Sequence, residues 1–351
     1  MEHPLQSLQQ GHWFKLICGA SFQHLPAIRN LTMAYTLAGA DCIDVAPDPA
    51  VVATALEGID AAVAISPSLG YPSLRPWLMV SLNDGEDPHF RKASLDPLRC
   101  PTDCSQPCVQ ICPAQAIAFS EQVQGVIADY CYGCGRCLPI CPIEQITTQE
   151  YRASIESMMP LMSAGQIDAV EIHTHPTHGP LFQALWQKIK PYVHQLKVLA
   201  ISCPDGKGHL DYLRELYGWI APLPCPLIWQ TDGRPMSGDI GNGTTRAAVL
   251  LGKKVLEAGL PGYVQLAGGT NGHTVVKLKA SGLLNIKGET GQNQPYVAGV
   301  AYGSYARRLL EPLPTHRLEA EPQALRQSVR LAETLVQPLK AHSGELNVST
   351  D

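Results

Sequence analysis

Between positions 100 and 141 this chain places eight of its twelve cysteines, a density that no ordinary hydrophobic core requires. They form two runs. The first reads Cys100-x3-Cys104-x3-Cys108-x3-Cys112 and ends on Pro113; the second reads Cys131-x2-Cys134-x2-Cys137-x3-Cys141 and ends on Pro142. The similarity extends past the cysteines. Cys108-Val-Gln-Ile-Cys112-Pro-Ala-Gln-Ala-Ile117 parallels Cys137-Leu-Pro-Ile-Cys141-Pro-Ile-Glu-Gln-Ile146. A shared C-x3-C-P-x3-I signature implies two copies of one metal-binding half, related by pseudo-symmetry.

Thiolates at this spacing are the ligand set of iron–sulfur clusters. Zinc takes four ligands, usually in well-separated CxxC pairs, so triplets at x2 and x3 spacing weigh against it. Disulfides need an oxidising compartment. The N-terminal Met-Glu-His-Pro has neither the basic stretch nor the apolar core of a signal peptide, so a cytoplasmic protein is expected. The runs resemble those of bacterial two-cluster ferredoxins, where each run gives three ligands to one cluster and its fourth to the other. By that analogy two [4Fe–4S] clusters are expected. Cys100, Cys104, Cys108 and Cys141 would hold the first, and Cys131, Cys134, Cys137 and Cys112 the second. The x3 spacing of the first run departs from the usual x2, so an atypical or more labile cluster is an alternative there. Pro113 and Pro142 redirect the chain after each crossing cysteine, and Gly133 and Gly135 let the backbone wrap closely.

The remaining chain reads as an alternation. Strands are expected at Lys15–Ala20, Cys42–Ala46, Trp77–Asn83, Ala169–His175, Lys197–Cys203, Pro226–Asp232, Tyr263–Gly268 and Val297–Tyr302. Helices fall between them at Leu25–Ala38, Pro49–Glu57, Leu181–Lys190, His209–Tyr217, Thr244–Ala258 and Thr274–Ser281, with another around Ile155–Ala164. Eight strands with intervening helices predict a (β/α)8 barrel, for which 351 residues leave room after the cysteine segment is set aside. An open doubly wound sheet is the alternative. The expected domains are a discontinuous barrel over 1–98 and 151–312, a ferredoxin-like insert over 99–150, and a C-terminal helix with a polar tail over 313–351. Pro322 begins that helix, with Leu325, Val329, Ala332 and Val336 along one face; a disordered tail is expected over Ser343–Asp351. The insert leaves the C-terminal end of the third strand, the face where barrels build their active sites. Net charge is −5 with no basic tract, which argues against a nucleic-acid partner. No apolar run in the sequence suggests a membrane span. Cys18, Cys42, Cys203 and Cys225 stand singly and read as buried, reduced thiols.

Strand alternation turns Asp44, Ser81, Asn83, Glu171, His173, His175, Gln230, Asp232 and Gln265 into the barrel. Buried polar groups need partners, so two readings stand side by side: a ligand site at the barrel mouth, formed by Asp44, Asn83, Glu171, His173, His175 and Asp232, or an internally paired, water-filled polar layer. His173, His175 and His178 also suggest chelation, although a hydrogen-bonded histidine cluster explains them as well. After the last two strands, Gly268, Gly269, Gly303 and Arg307 occupy the usual barrel phosphate position, which makes a flavin or quinone a lesser expectation. Ser237–Arg246 is glycine-rich but lacks the ending of a P-loop.

With the cysteine runs set inside a barrel-like chain, the sequence resembles the cyanobacterial light-dependent period modulator family. The likeness is carried by 100–113, 131–142 and flanks such as Asn30-Leu-Thr-Met-Ala-Tyr-Thr-Leu-Ala-Gly-Ala-Asp-Cys-Ile-Asp44 and Leu266-Ala-Gly-Gly-Thr-Asn-Gly-His-Thr-Val-Val276. The resemblance implies an iron–sulfur redox sensor that reports photosynthetic electron transport to circadian clock input and oscillator proteins, with no turnover required. The competing expectation is an oxidoreductase whose clusters pass electrons to a flavin or another redox small molecule in the barrel. A zinc-stabilised interaction protein is the third.

Overall fold

The structure is a computed structural model and describes residues 3–150, 154–234, 241–285, 295–314 and 316–340. Eight parallel strands close a barrel: β1 (Trp13–Gly19), β2 (Cys42–Val45), β3 (Trp77–Asn83), β8 (Ala169–His173), β9 (Val198–Pro204), β10 (Leu227–Asp232), β11 (Tyr263–Ala267) and β12 (Gly299–Tyr302), with β12 paired back to β1. A short helix α1 (Pro4–Gln10) precedes β1. The outer ring holds α2 (Leu25–Ala38), α3 (Pro49–Ile65), α5 (Ile155–Ser163), α6 (Gly179–Ile189), α7 (His209–Ile220), α8 (Thr245–Glu257), α9 (Thr274–Ala280) and α10 (Ser304–Leu309).

The strand pattern explains the closure. In β1, Phe14, Leu16 and Cys18 join the apolar layer under the helices, whereas Trp13 joins a second apolar layer inside the barrel with Cys42, Trp77, Met79, Ala169, Ala200 and Ile228. The helices begin and end where local chemistry dictates. Asp48 caps α3 by accepting from the Ala50 and Val51 N–H groups, and Gly39 ends α2 in the left-handed region (φ 98°). One sequence reading is corrected here: Pro49–Leu69, α3 with the turn that follows it, is long and apolar enough to cross a membrane, at a mean hydropathy of 1.4. It lies beside α2 and buries Val51, Val52, Ala55, Ile59 and Ala62 in the barrel's apolar layer. Ala53, Glu57 and Asp60 on its other face are exposed.

Between β3 and α5 the chain makes its excursion. A stem of two antiparallel strands, β4 (Arg91–Ser94) and β7 (Thr147–Glu150), carries the short helix α4 (Pro107–Ile111) and a second pair, β5 (Ile117–Phe119) with β6 (Gln124–Val126). The unit has its own apolar cluster around Ile117, Ile146, Cys108 and Cys137.

After β12 the chain is clasped to α2. The Asn30 amide donates to the carbonyls of Pro314 and His316 (2.9 and 2.8 Å), and Arg29 grips Glu319 with two bonds (2.6 and 2.8 Å). Helix α11 (Pro322–Lys340) buries Leu325, Val329, Ala332 and Val336. Lys340 bonds to Asp41 and Ser7, and Asp41 itself accepts the Phe14 N–H at 2.7 Å. The expectation for Ser343–Asp351 lies outside the described residues.

Candidate functional site

The excursion gathers its cysteines into two apolar hollows. Cys112, Cys131, Cys134 and Cys137 line one, walled by Ala93, Ala116, Ile117 and Leu138. Cys100, Cys104, Cys108 and Cys141 line the other, walled by Leu95, Phe119, Ile143 and Ile146. The pseudo-symmetry of the sequence is present in the backbone. Gln115 and Glu144, each third after a crossing cysteine, take the same left-handed conformation (φ 51° and 50°). Their N–H groups donate back to the Cys112 and Cys141 carbonyls at 3.3 and 3.1 Å.

The donor set fits an iron–sulfur cofactor. Four soft sulfurs face each hollow, and none of the twelve cysteines forms a disulfide. Donors already point at sulfur, as they must to stabilise the charge of a thiolate-bound cluster. The Ala116 N–H reaches Cys112 Sγ (3.2 Å), the Ala93 N–H reaches Cys131 Sγ (3.3 Å), the Gln106 N–H reaches Cys104 Sγ (3.4 Å) and the Gln145 amide reaches Cys100 Sγ (2.8 Å). Gly133 is required where it stands. Its φ is +69°, and an added Cβ would lie 2.0 Å from the Arg91 carbonyl oxygen.

Tyr132 joins this unit to the barrel. It is 3% exposed and packs edge-on to Phe22, with the Arg307 guanidinium 4.1 Å above its ring. Arg307 was read from the sequence as part of a phosphate site with Gly268, Gly269 and Gly303. In the structure it is buried, and it donates to the Ile17 and Cys18 carbonyls (2.9 and 3.1 Å) and to Ser304 Oγ (3.1 Å). Its charge braces the end of β1 against Tyr132. Gly268 and Gly269 adopt positive φ (64° and 99°), and an added Cβ would lie within about 3 Å of the backbone at Gly233 and Arg234 or at Thr244, a packing need that explains both glycines. Gly303 lies beside Arg307 and Ile17. Much of the segment Ser237–Arg246 lies outside the described residues.

Beside its apolar inner layer, the barrel interior holds a polar, internally paired one. Its centre is Lys15, fully buried, which sequence reasoning missed although it is the lone charge in an apolar strand. Lys15 ion-pairs with Glu171 and lies 3.3 Å from Asp44. Ser81 donates to Asp44 (2.8 Å), Gln230 to Glu171 (2.7 Å), Gln265 to Gln230 (2.6 Å) and Trp13 to Gln265 (2.6 Å). Ser202 donates to Asp232. Burial opposes charge throughout, and the neighbours decide the outcome. Burial would raise the Glu171 carboxyl, but Lys15 and His173 hold it down to about 2. Burial pushes Asp44 up to about 6 against the pull of Lys15. Burial would lower Lys15, yet Glu171 and Asp44 keep its ammonium well charged.

At the mouth, the histidines separate. Strand β8 ends at His173, whose Nε2 lies 2.9 Å from Glu171 Oε1. The expected inward position of His175 is corrected: it lies past the strand and is exposed, because the chain turns at Pro176 and Thr177 and Pro176 has no N–H to continue the ladder. Thr174 sends its backbone N–H to the Ser202 carbonyl and its hydroxyl to Asp84. His175 and His178 have neighbouring rings (5.6 Å), and His178 pairs with Asp84 (2.8 Å); neither joins His173. Asn83 donates to the Gly85 carbonyl (2.8 Å) and shapes the loop. Asp87 and His89 from that loop, also missed in the sequence, meet His173 instead. Their signal was positional only, a polar stretch directly after a barrel strand. Of the solitary cysteines, Cys18, Cys42 and Cys203 are buried and Cys225 is partly so; burial pushes the Cys18 thiol up to about 12 and Cys225 to about 11.

Comparison with known proteins follows these features. Residues 100–152 match the Fe–S cluster-binding domain of the LdpA family, and residues 161–338 match the "Light dependent period A C-terminal domain". The chain is 51% identical to "Light dependent period A" of Synechococcus elongatus, over 97% of this chain and 95% of that one. Among solved structures, similarity is at low identity. A putative fructose-1,6-biphosphate aldolase from Coccidioides immitis is 11% identical at TM-score 0.42, over 97% of this chain and 94% of that one. A tryptophan synthase from M. tuberculosis is 11% identical at TM-score 0.40, over 96% of this chain and all of that one.

Proposed function

The chain belongs to the light dependent period A family, and on that premise we propose that this iron–sulfur protein is a cytoplasmic redox sensor. It would carry two [4Fe–4S] clusters, one on Cys112, Cys131, Cys134 and Cys137, the other on Cys100, Cys104, Cys108 and Cys141. The oxidation state of the clusters would report photosynthetic electron transport to circadian clock input and oscillator proteins.

The observation that carries this reading is the contrast in surroundings between the two hollows. One is anchored to the barrel through Tyr132 and Arg307. The other is lined in part by exposed Ile143, and the exposed Leu98 (93%) and Ile140 stand two residues before Cys100 and next to Cys141, which supports a partner-facing surface there. A one-electron change in the outer cluster alters charge beside that surface, and the partner's affinity follows. The test is anaerobic purification, iron and sulfide analysis, and binding to purified clock proteins with the clusters poised oxidised or reduced. About eight irons per chain and a redox-dependent affinity are expected. Iron-free protein, or equal affinity in both states, overturns the reading.

A second reading, an oxidoreductase passing electrons to a flavin or quinone, draws on one feature. A groove of about 480 Å³ runs beside Pro113 and Ala114, next to Cys112, and is lined by Phe22, His24, Tyr130 and Tyr132. Its aromatic walls suit a planar ring. Flavin or quinone released on denaturing the purified protein would favour this reading.

A further inference from the structure

Outside the cysteine unit, one set of metal-ligating atoms converges among the described residues. Asp87, His89 and His173 each offer a donor atom, and these lie within 4.8 Å of one another. Asp87 and His89 belong to the loop after β3, His173 ends β8, and β3 and β8 are adjacent in the barrel. The cluster therefore occupies the C-terminal mouth, where barrel proteins place their chemistry. We propose that Asp87, His89 and His173 bind one divalent first-row transition-metal ion, separate from the iron–sulfur cofactor.

The hydrogen-bond accounting at His173 carries the argument. Its Nε2, 2.9 Å from Glu171 Oε1, must hold a proton in order to donate. Its Nδ1 then faces Asp87 Oδ2 at 3.6 Å, beyond hydrogen-bond length. In a neutral ring that places a nitrogen lone pair against a carboxylate lone pair. Something positive belongs between them, either a second ring proton or a cation. Two donors at about 2.1 Å from a shared ion stand roughly 3.0–3.4 Å apart, so a small closing movement would complete the pair. His89 supplies the third donor, with its ring 5.1 Å from that of His173; its Nδ1 donates to Asp87 Oδ1 at 2.8 Å, and a bound ion would take the place of that proton.

The surroundings support a cation. Glu171 stands behind His173 as the carboxylate that orients a ligating imidazole and raises its basicity. Lys15 and Gln230 hold Glu171 in turn, so the ring is fixed from beneath. The edge of Phe90 closes one side at 5.3 Å. Asp87 and His89 keep 14% and 20% exposure, which leaves an entry path. With Glu171 answered by Lys15, Asp87 provides the net negative charge. Two imidazoles and one carboxylate suit Fe(II), Mn(II) or Zn(II), and three side-chain ligands leave at least one position for water or a small oxygen donor. The site is also close to the cluster unit. Four residues past His89, the Ala93 N–H meets Cys131 Sγ, a stretch of at most about 14 Å.

Manganese(II) is the probe, because it avoids thiolates and its aqueous EPR signal disappears on binding. Added to anaerobically purified protein with its clusters intact and oxidised, it should bind at one ion per chain. His89→Gln and Asp87→Asn should weaken that binding at least tenfold with cluster absorbance unchanged. Glu171→Gln should weaken it by about 10- to 100-fold, the range for a ligand's outer partner. His89→Gln, at a partly exposed ring, keeps the test sound if Asp87→Asn fails to fold. A wild-type protein that leaves the free manganese signal unchanged overturns the proposal, and so does binding that His89→Gln leaves at wild-type strength.

Discussion

The two cysteine hollows come from one repeated sequence signature, yet their settings differ. The inner hollow is built into the barrel: Tyr132 enters the barrel's apolar layer, Gly133 passes under the Arg91 carbonyl, and Arg307 bridges Tyr132 to the end of β1. The outer hollow sits at the far side of the stem, where Leu98 and Ile143 face solvent and a side-chain amide, from Gln145, takes the place of a backbone donor at Cys100. A duplicated metal-binding half has been divided into an anchored copy and an exposed copy. The fold around each copy, and not its ligands, sets what it is suited to do.

Breaking the inner copy should have the largest effect. Cys134→Ser is expected to lose the inner cluster and loosen the stem, whereas Cys104→Ser should cost only the outer cluster; iron per chain and thermal unfolding measure both. If Cys104→Ser bleaches everything, the two copies form one cooperative unit and the contrast fails. Arg307→Met comes next. It removes the cation over Tyr132 and leaves the Ile17 and Cys18 carbonyls without that donor, a loss of about 2–4 kcal/mol. The inner cluster should then be lost faster to a chelator, with the outer one unchanged. A double change, Leu98→Ser with Ile143→Ser, should keep full iron content and stability within about 0.5 kcal/mol while weakening the redox-dependent partner affinity. The smallest effect is that of Gln145→Leu. Without its N–H, the outer cluster loses a donor that favours the more negative, reduced state, so its potential should fall and the inner potential should stay constant in a spectroelectrochemical titration.

Much of this was legible in the sequence because burial leaves a pattern. The β3 and α2 boundaries were readable to the residue, since continuous apolar runs and a terminal glycine fix them. The crossed grouping of the cysteines came from the likeness of their doubled spacing to two-cluster ferredoxins, and the two hollows are lined by those same sets. Where reading failed, the deciding force was not periodic. Strand alternation carried His175 inward, but the chain turns at Pro176 and Thr177, where the missing proline N–H cannot extend the ladder. Lys15 was passed over because a single charge between Phe14 and Leu16 looks like noise until its two carboxylate partners arrive from β2 and β8. Asp87 and His89 lie in a loop, and only the adjacency of β3 and β8 gives them their neighbour. Arg307 suited an anion until the carbonyls of Ile17 and Cys18 were seen to claim it.

The link from Lys340 to Ser7 and Asp41 joins the end of α11 to α1 and to the carboxylate that also accepts the Phe14 N–H of the first strand. During synthesis the cysteine segment leaves the ribosome while five of the eight barrel strands, β8 to β12, are still to follow and that seam is open. Iron loading and barrel closure can thus proceed on separate clocks, the metal unit maturing on its stem before the cylinder that will hold it has been sealed.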